Sequence, residues 1–142
     1  MQLDTVLYTA TATAEGGREG RAFTDDGALD LVVSKPKEFG GAGAGTNPEQ
    51  LFAAGFAACF HSALQLVARK ARQDVGDSSV TGAVGIGPLA TGPGYGLEVS
   101  LRVRIPGVPS EAAEALVAAA DSVCPYSNAT RGNILVTHEI VA

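Results

Sequence analysis

Cysteine is scarce in this chain, with two residues, Cys59 and Cys124, among 142. Histidine is equally scarce, with only His61 and His138, and neither has cysteine or carboxylate neighbours at ligand spacing. That excludes the recurrent metal-site patterns, so each histidine is expected to be a surface or partly buried polar residue. Basic residues are outnumbered, 10 Lys and Arg against 15 Asp and Glu, for a formal net charge of −5. An acidic domain of this kind is not built to bind nucleic acid. No Gly-x-Ser-x-Gly elbow occurs, and the glycine-rich stretch "SKPKEFGGAGAGT" (34–46) lacks the trailing Gly-Lys-Ser/Thr of a phosphate loop and the spacing of a dinucleotide fingerprint. The longest uncharged apolar run, within residues 51–67, is broken by Gly55, His61, Ser62 and Gln65. A membrane span is therefore not expected. The first residues, "MQLDTVLYTATATAEGG", have no basic region and no continuous apolar core, so no signal peptide is expected. The expected setting is the cytoplasm, where thiols stay reduced and a structural disulfide is the least expected use of two cysteines.

A chain of this length is expected to form one domain, 1–142, with no internal repeat. Residues 3–13, "LDTVLYTATAT", read as a strand, and "AEGGREG" as a turn. A second strand begins over 21–24, "DDG" (25–27) signals a hairpin, and 28–33 closes a three-strand meander. The segment 34–46 reads as a flexible connection. A long helix is expected from "TNPEQ" to about Arg72, with Asn47 as cap, Pro48 in the first turn and Gln50 completing a capping box. Its end, "ARKAR" (68–72), suits the helix dipole. Strands follow over 80–87 and 97–105, the latter placing Leu97, Val99, Leu101, Val103 and Ile105 on one face. A second helix over 109–123, with Ser110 as a possible cap, and a last strand over 134–141 complete the order βββ-α-ββ-α-β. That is an α+β pattern with mostly antiparallel sheets.

Cys59 lies mid-helix in "LFAAGFAACFHSA" (51–63), and alone it could be a packing residue. Cys124 stands before Pro125 in a segment dense with polar groups, which points to an exposed or functional setting on a mobile junction and not to the core. One thiol on a helix and one on a junction suit an oxidise-then-resolve cycle, in which a sulfenic acid on the first condenses with the second. The first thiolate would need a neighbouring cation to lower its pKa. Arg18, Arg21 and Arg131 are the candidates. Phe52, Phe56 and Phe60 recur every four residues along one face of the helix, either as plain core or as one wall of a slot for an alkyl chain.

"YTATATAEGGREGRA", "TNPEQLFAAGFAACF" and "CPYSNATRGN" resemble the organic hydroperoxide resistance proteins, a branch of the OsmC-like superfamily, and the resemblance extends from Leu7 to Val141. It implies an intertwined homodimer in which sheets of both chains wrap around central helices. It implies thiol-dependent reduction of organic hydroperoxides, including lipid-derived ones, to alcohols, as part of resistance to oxidative stress. Cys59 matches the peroxidatic cysteine, Cys124 the resolving one, Arg18 the activating arginine and Glu49 the carboxylate that holds it. No bound cofactor is implied. The reductant would be a dihydrolipoyl group on a lipoylated protein. The "FHSAL" that follows Cys59 is more polar than the pattern, so His61 could tune the site. Two other readings compete: an osmotically induced peroxidase of broader specificity, and a non-catalytic module that binds a lipid or lipoyl group. Glu49 and Cys59 are ten residues apart on one expected helix, about 15 Å along its axis at ~1.5 Å per residue. Arg18 and Glu49 are therefore expected to act on Cys59 of the partner chain.

Overall fold

A computed structural model describes residues 1–142. Backbone contacts divide the chain into two compact units, Met1–Pro48 and Glu49–Ala142.

The first unit is the expected meander: β1 (Ala12–Glu15), β2 (Gly20–Thr24) and β3 (Asp30–Val33), antiparallel throughout. The β1–β2 turn is closed by Glu19 N–H donating to the Gly16 carbonyl, with Gly16 at φ +76°, a conformation that glycine takes without strain. At the β2–β3 turn, the Asp26 carboxylate accepts from the Thr24 hydroxyl and the Ala28 N–H, which holds it below the usual carboxylate range. β1 is shorter than expected. The last tie before it is Asp25 N–H to the Thr11 carbonyl, and residues 1–10 carry no strand. Alternation alone does not make a strand; a ladder partner is required. Leu3, Val6, Leu7 and Tyr8 are left open, with Leu7 93% and Tyr8 79% exposed. The connection 34–46, expected to be flexible, is a closed loop with a single 3-10 turn, Lys37–Phe39. Ser34 N–H donates to Thr46 O and Thr46 N–H to Val32 O, both at 2.9 Å, and Gly41 and Gly43 bond back to Pro36 and Lys35.

In the second unit, α1 (Pro48–Ala71) runs unbroken through Gly55 and ends at Arg72, whose φ is +56°. The helix is long and apolar enough to cross a membrane. Here Phe56, Phe60, Ala63, Leu64 and Ala68 are buried instead, in a core shared with Val99, Leu101, Val103, Leu116 and Ala120. A second three-stranded sheet has the order β4-β5-β6: β4 (Ser79–Pro88) antiparallel to β5 (Tyr95–Arg104), and β6 (Val136–Val141) parallel to β5. Val99, Leu101 and Val103 of β5, together with Ile105, point into the core as the alternation requires, while Leu97 is only half-buried. The parallel pairing of β6 is reached through a helical crossover, as parallel neighbours must be. That crossover holds α2 (Ser110–Val123) and a third helix, α3 (Pro125–Thr130), where only polar junction was expected. Pro109 takes the cap position of α2 and makes no side-chain cap bond, so Ser110 is the first helical residue and not the cap.

Candidate functional site

The site is built where α3 meets the middle of α1. Cys124 sits between α2 and α3 in an extended conformation, φ −68° and ψ 121°, and its sulfur accepts the Ser127 N–H at 3.5 Å. A thiol thus caps α3, and Pro125 at the first helical position needs no partner for an N–H it does not have. Cys124 is 0% exposed and lies in the core cluster, which corrects the expectation of an exposed setting outside the core. The polar side chains that suggested exposure belong to other faces of α3 or bond locally: Thr130 Oγ1 donates to Tyr126 O at 2.9 Å, and Asn128 Nδ2 donates to Ser122 O at 3.3 Å.

Both cysteines are free, and Cys59 is the more open of the two. Cys59 packs against the buried cluster that includes Cys124. Burial pushes the Cys59 thiol up from the ordinary range, and Cys124 adds to this, while the Tyr126 backbone N–H, donating to the sulfur, pulls it down. Within this surrounding the thiol form is favoured, so nucleophilic use of Cys59 at neutral pH calls for a cation.

The candidate cations are Arg21, Arg131 and Arg18. Arg21 grips Asp30 with two bonds of 2.7 and 2.8 Å and lies 4.2 Å over the Phe23 ring. Arg131 bonds Asp121 and Asn128. Arg18, half-buried in the β1–β2 turn, has its guanidinium 5.9 Å from the Phe39 ring centre. Glu49 is in the first turn of α1 and is also half-buried.

Phe56 and Phe60 are 0% exposed and belong to the core, which is the plainer of the two readings of the phenylalanine stripe. Phe52 alone of the three stays partly open, and it packs at 6.1 Å from both Phe56 and Tyr126. Sequence reasoning missed Tyr126. Its ring sits 5.6 Å edge-on to Phe56 over Gly55, and a Cβ added to Gly55 would meet the phenol oxygen at 2.8 Å. Gly55, expected only as an interruption in the helix, is the notch that admits Tyr126. The ring anchors α3 on α1, and the same residue's N–H meets Cys59. His61 is held by structure: the Ser78 hydroxyl donates to Val75 O, so His61 Nε2–H donates to Ser78 Oγ, at 2.9 Å.

Gly55→Ala tests the notch. Alanine gains about 1 kcal/mol in helix propensity, while forcing Tyr126 aside costs about 1–3 kcal/mol. The expected result is unchanged or slightly lowered stability in a denaturant titration, with a changed tyrosine near-UV signal and slower Cys59–Cys124 coupling. A variant stabilised by the full propensity gain, with unchanged coupling, would show that the contact is not binding.

Comparison with known proteins bears on the chain as a whole. A sequence model of the OsmC-like protein family matches residues 40–139. The organic hydroperoxide resistance protein of Xanthomonas axonopodis pv. citri is 55% identical over 134 residues, covering 93% of each chain. The organic hydroperoxide resistance protein OhrA of Bacillus subtilis is 50% identical over 139 residues, covering 94% of this chain and 96% of that one. The crystal structure of an organic hydroperoxide resistance protein from Elizabethkingia anophelis, with thiocyanate bound, superposes with a TM-score of 0.92 at 51% identity, covering 98% of this chain and 99% of that one.

Proposed function

Since the chain belongs to the OsmC-like family, among the organic hydroperoxide resistance proteins, we propose that it is a cysteine-based peroxidase that reduces organic hydroperoxides, including lipid-derived ones, to alcohols. The observation that carries this reading is the pairing of a partly open thiol, Cys59, with a buried one, Cys124, in one packed cluster. The Cys59 thiolate attacks the outer peroxide oxygen. An S–O bond forms, the O–O bond breaks, and the alkoxide leaves with a proton as the alcohol. Cys124 then attacks the sulfenic sulfur. The S–S bond forms, and hydroxide departs and takes up the Cys124 proton as water. Phe52 and Tyr126 supply the apolar side, where the alkyl part of the substrate loses water contact.

Arg18 supplies the positive charge that lowers the Cys59 pKa, and Glu49 holds Arg18. The molecule works as a homodimer in which these two residues serve the partner's Cys59. Support comes from the helix, which starts at Pro48 and keeps Glu49 and Cys59 ten residues apart, about 15 Å along the axis. The exposed Leu3, Val6, Leu7 and Tyr8 give a second copy something to cover. The disulfide is reopened by a dihydrolipoyl group of a lipoylated protein in the cytoplasm.

The test is a peroxidase assay with tert-butyl and fatty-acid hydroperoxides, offering dihydrolipoamide, thioredoxin or glutathione as reductant. Two thiols should be lost per hydroperoxide consumed, and dihydrolipoamide should sustain turnover best. A non-catalytic lipid or lipoyl binder would keep both thiols. Equal use of hydrogen peroxide would return the broader, osmotically induced type.

A further inference from the structure

Arg131 makes more bonds than its open position would call for. Its Nη1 donates to Asn128 Oδ1 at 2.6 Å; its Nη2 donates to the Asp121 carbonyl at 2.7 Å and to Asp121 Oδ2 at 3.1 Å. Asp121 lies in the last turns of α2, Asn128 in α3, and Cys124 is at the vertex between the two helices. Asn128 Nδ2 adds a second strap to Ser122 O at 3.3 Å. The network continues beyond Asp121. His138 Nε2 is 3.5 Å from Asp121 Oδ1, and the His138 ring is 5.3 Å from that of Phe60, the residue after Cys59. A chain of contacts thus leads from the corner that carries one thiol to the helix that carries the other.

Stability does not account for this arrangement. The Arg131 and Asp121 side chains are 49% and 32% exposed, and an ion pair that open to water is worth about 0–1 kcal/mol. Geometry does account for it. A planar guanidinium can satisfy a carbonyl, a carboxylate and an amide oxygen at once, in fixed directions. The three acceptors here flank a corner of three residues, 123–125. Fixing them fixes the angle between α2 and α3, and so the direction in which the Cys124 sulfur points.

We propose that Arg131 is a positioning residue for the resolving step: by clamping α2 to α3 it aims Cys124 at Cys59 and sets the rate at which the disulfide closes, leaving the first oxidation of Cys59 untouched. This rests on the peroxidase reading for its biological use, but the aiming itself does not require a peroxide.

The experiment compares wild type, Arg131→Ala, Arg131→Lys and Asp121→Asn, each fully reduced, with two oxidants. Saturating diamide closes the disulfide without any hydroperoxide, its diazene taking two electrons and two protons to become a hydrazine. One equivalent of cumene hydroperoxide, with and without a 1,3-cyclohexanedione trap, reports the first oxidation and the sulfenic acid separately. Arg131→Ala should close on the order of 10–100-fold more slowly with either oxidant, the scale of loss for a misplaced reacting group. Its first oxidation should keep the wild-type rate, and the trapped sulfenic adduct should accumulate. Asp121→Asn should slow closure in the same direction. Arg131→Lys should recover closure only in part, because a single nitrogen cannot span acceptors that the guanidinium meets with two. Wild-type closure in Arg131→Ala, equal slowing of both steps, or complete recovery by lysine would each overturn the proposal. If wild type closes with diamide but forms no disulfide with hydroperoxide, the peroxidase reading falls, and the diamide rates still decide the role of Arg131.

Discussion

Cys59→Ser abolishes peroxide turnover, whereas Cys124→Ser reacts once and stalls: this is the expected result with the largest effect. The two losses should differ because the proposed cycle gives the two sulfurs different chemistry. Cys59 is the more open thiol and the proposed nucleophile, so without it no S–O bond should form. Cys124 is buried and on this proposal acts only on the sulfenic acid, so its loss should leave one equivalent of hydroperoxide consumed per chain and a trappable intermediate. The serine at 124 should fold well, since a hydroxyl accepts the Ser127 N–H at a helix start better than sulfur does. Intact mass with a sulfenic trap and thiol counting read both outcomes. If Cys124→Ser resisted oxidation while Cys59→Ser was oxidised, the two roles would be exchanged.

The second large effect concerns Arg18. Burial raises the Cys59 thiol above its ordinary range, so the thiolate fraction at neutral pH is small without added positive charge. Arg18→Ala should raise that pKa further and cut the peroxide rate by on the order of 10²–10³-fold, the scale for loss of one preorganised charged donor. Thiolate absorbance against pH gives the first quantity. The rate should recover as pH rises toward the higher pKa, because the lost cation affects ionisation most. Glu49→Ala should show a weaker form of both changes with little loss of stability, about 1 kcal/mol or less for a carboxylate in a first helical turn. Mixing inactive Cys59→Ser and Arg18→Ala subunits then separates the two arrangements. A site shared between chains rebuilds one intact pocket per mixed dimer, and activity returns. Mixed dimers that form and stay dead would mean that each chain carries its own complete site.

Much of this architecture is legible in the residues because the signals are local. Asn47-Pro48 followed by a long apolar run announces α1 within a residue of its ends, and strict alternation in 97–105 gives both the strand and its buried face. The two cysteines stand out because the chain has so little sulfur. What was not legible depends on distant partners. The stretch 3–13 alternates, yet only its end pairs within the chain. The α3 segment, "PYSNAT", has poor helix formers, and its six residues are held by a sulfur cap, a proline and the Arg131 bonds. Tyr126 and Gly55 are 71 residues apart, and neither is unusual until the fold brings them together.

The sulfur cap on α3 has one more consequence. The Ser127 amide hydrogen is shared with the Cys124 sulfur, the atom that the proposed cycle joins to Cys59. On that proposal the redox state of the pair should be readable in a single backbone proton. In the reduced protein that proton should be tied and slow to exchange with deuterated solvent; closing the disulfide should draw its acceptor away and let the first turn of the helix fray. Ser127 would then serve as a built-in isotope-exchange gauge of how much of the protein is oxidised.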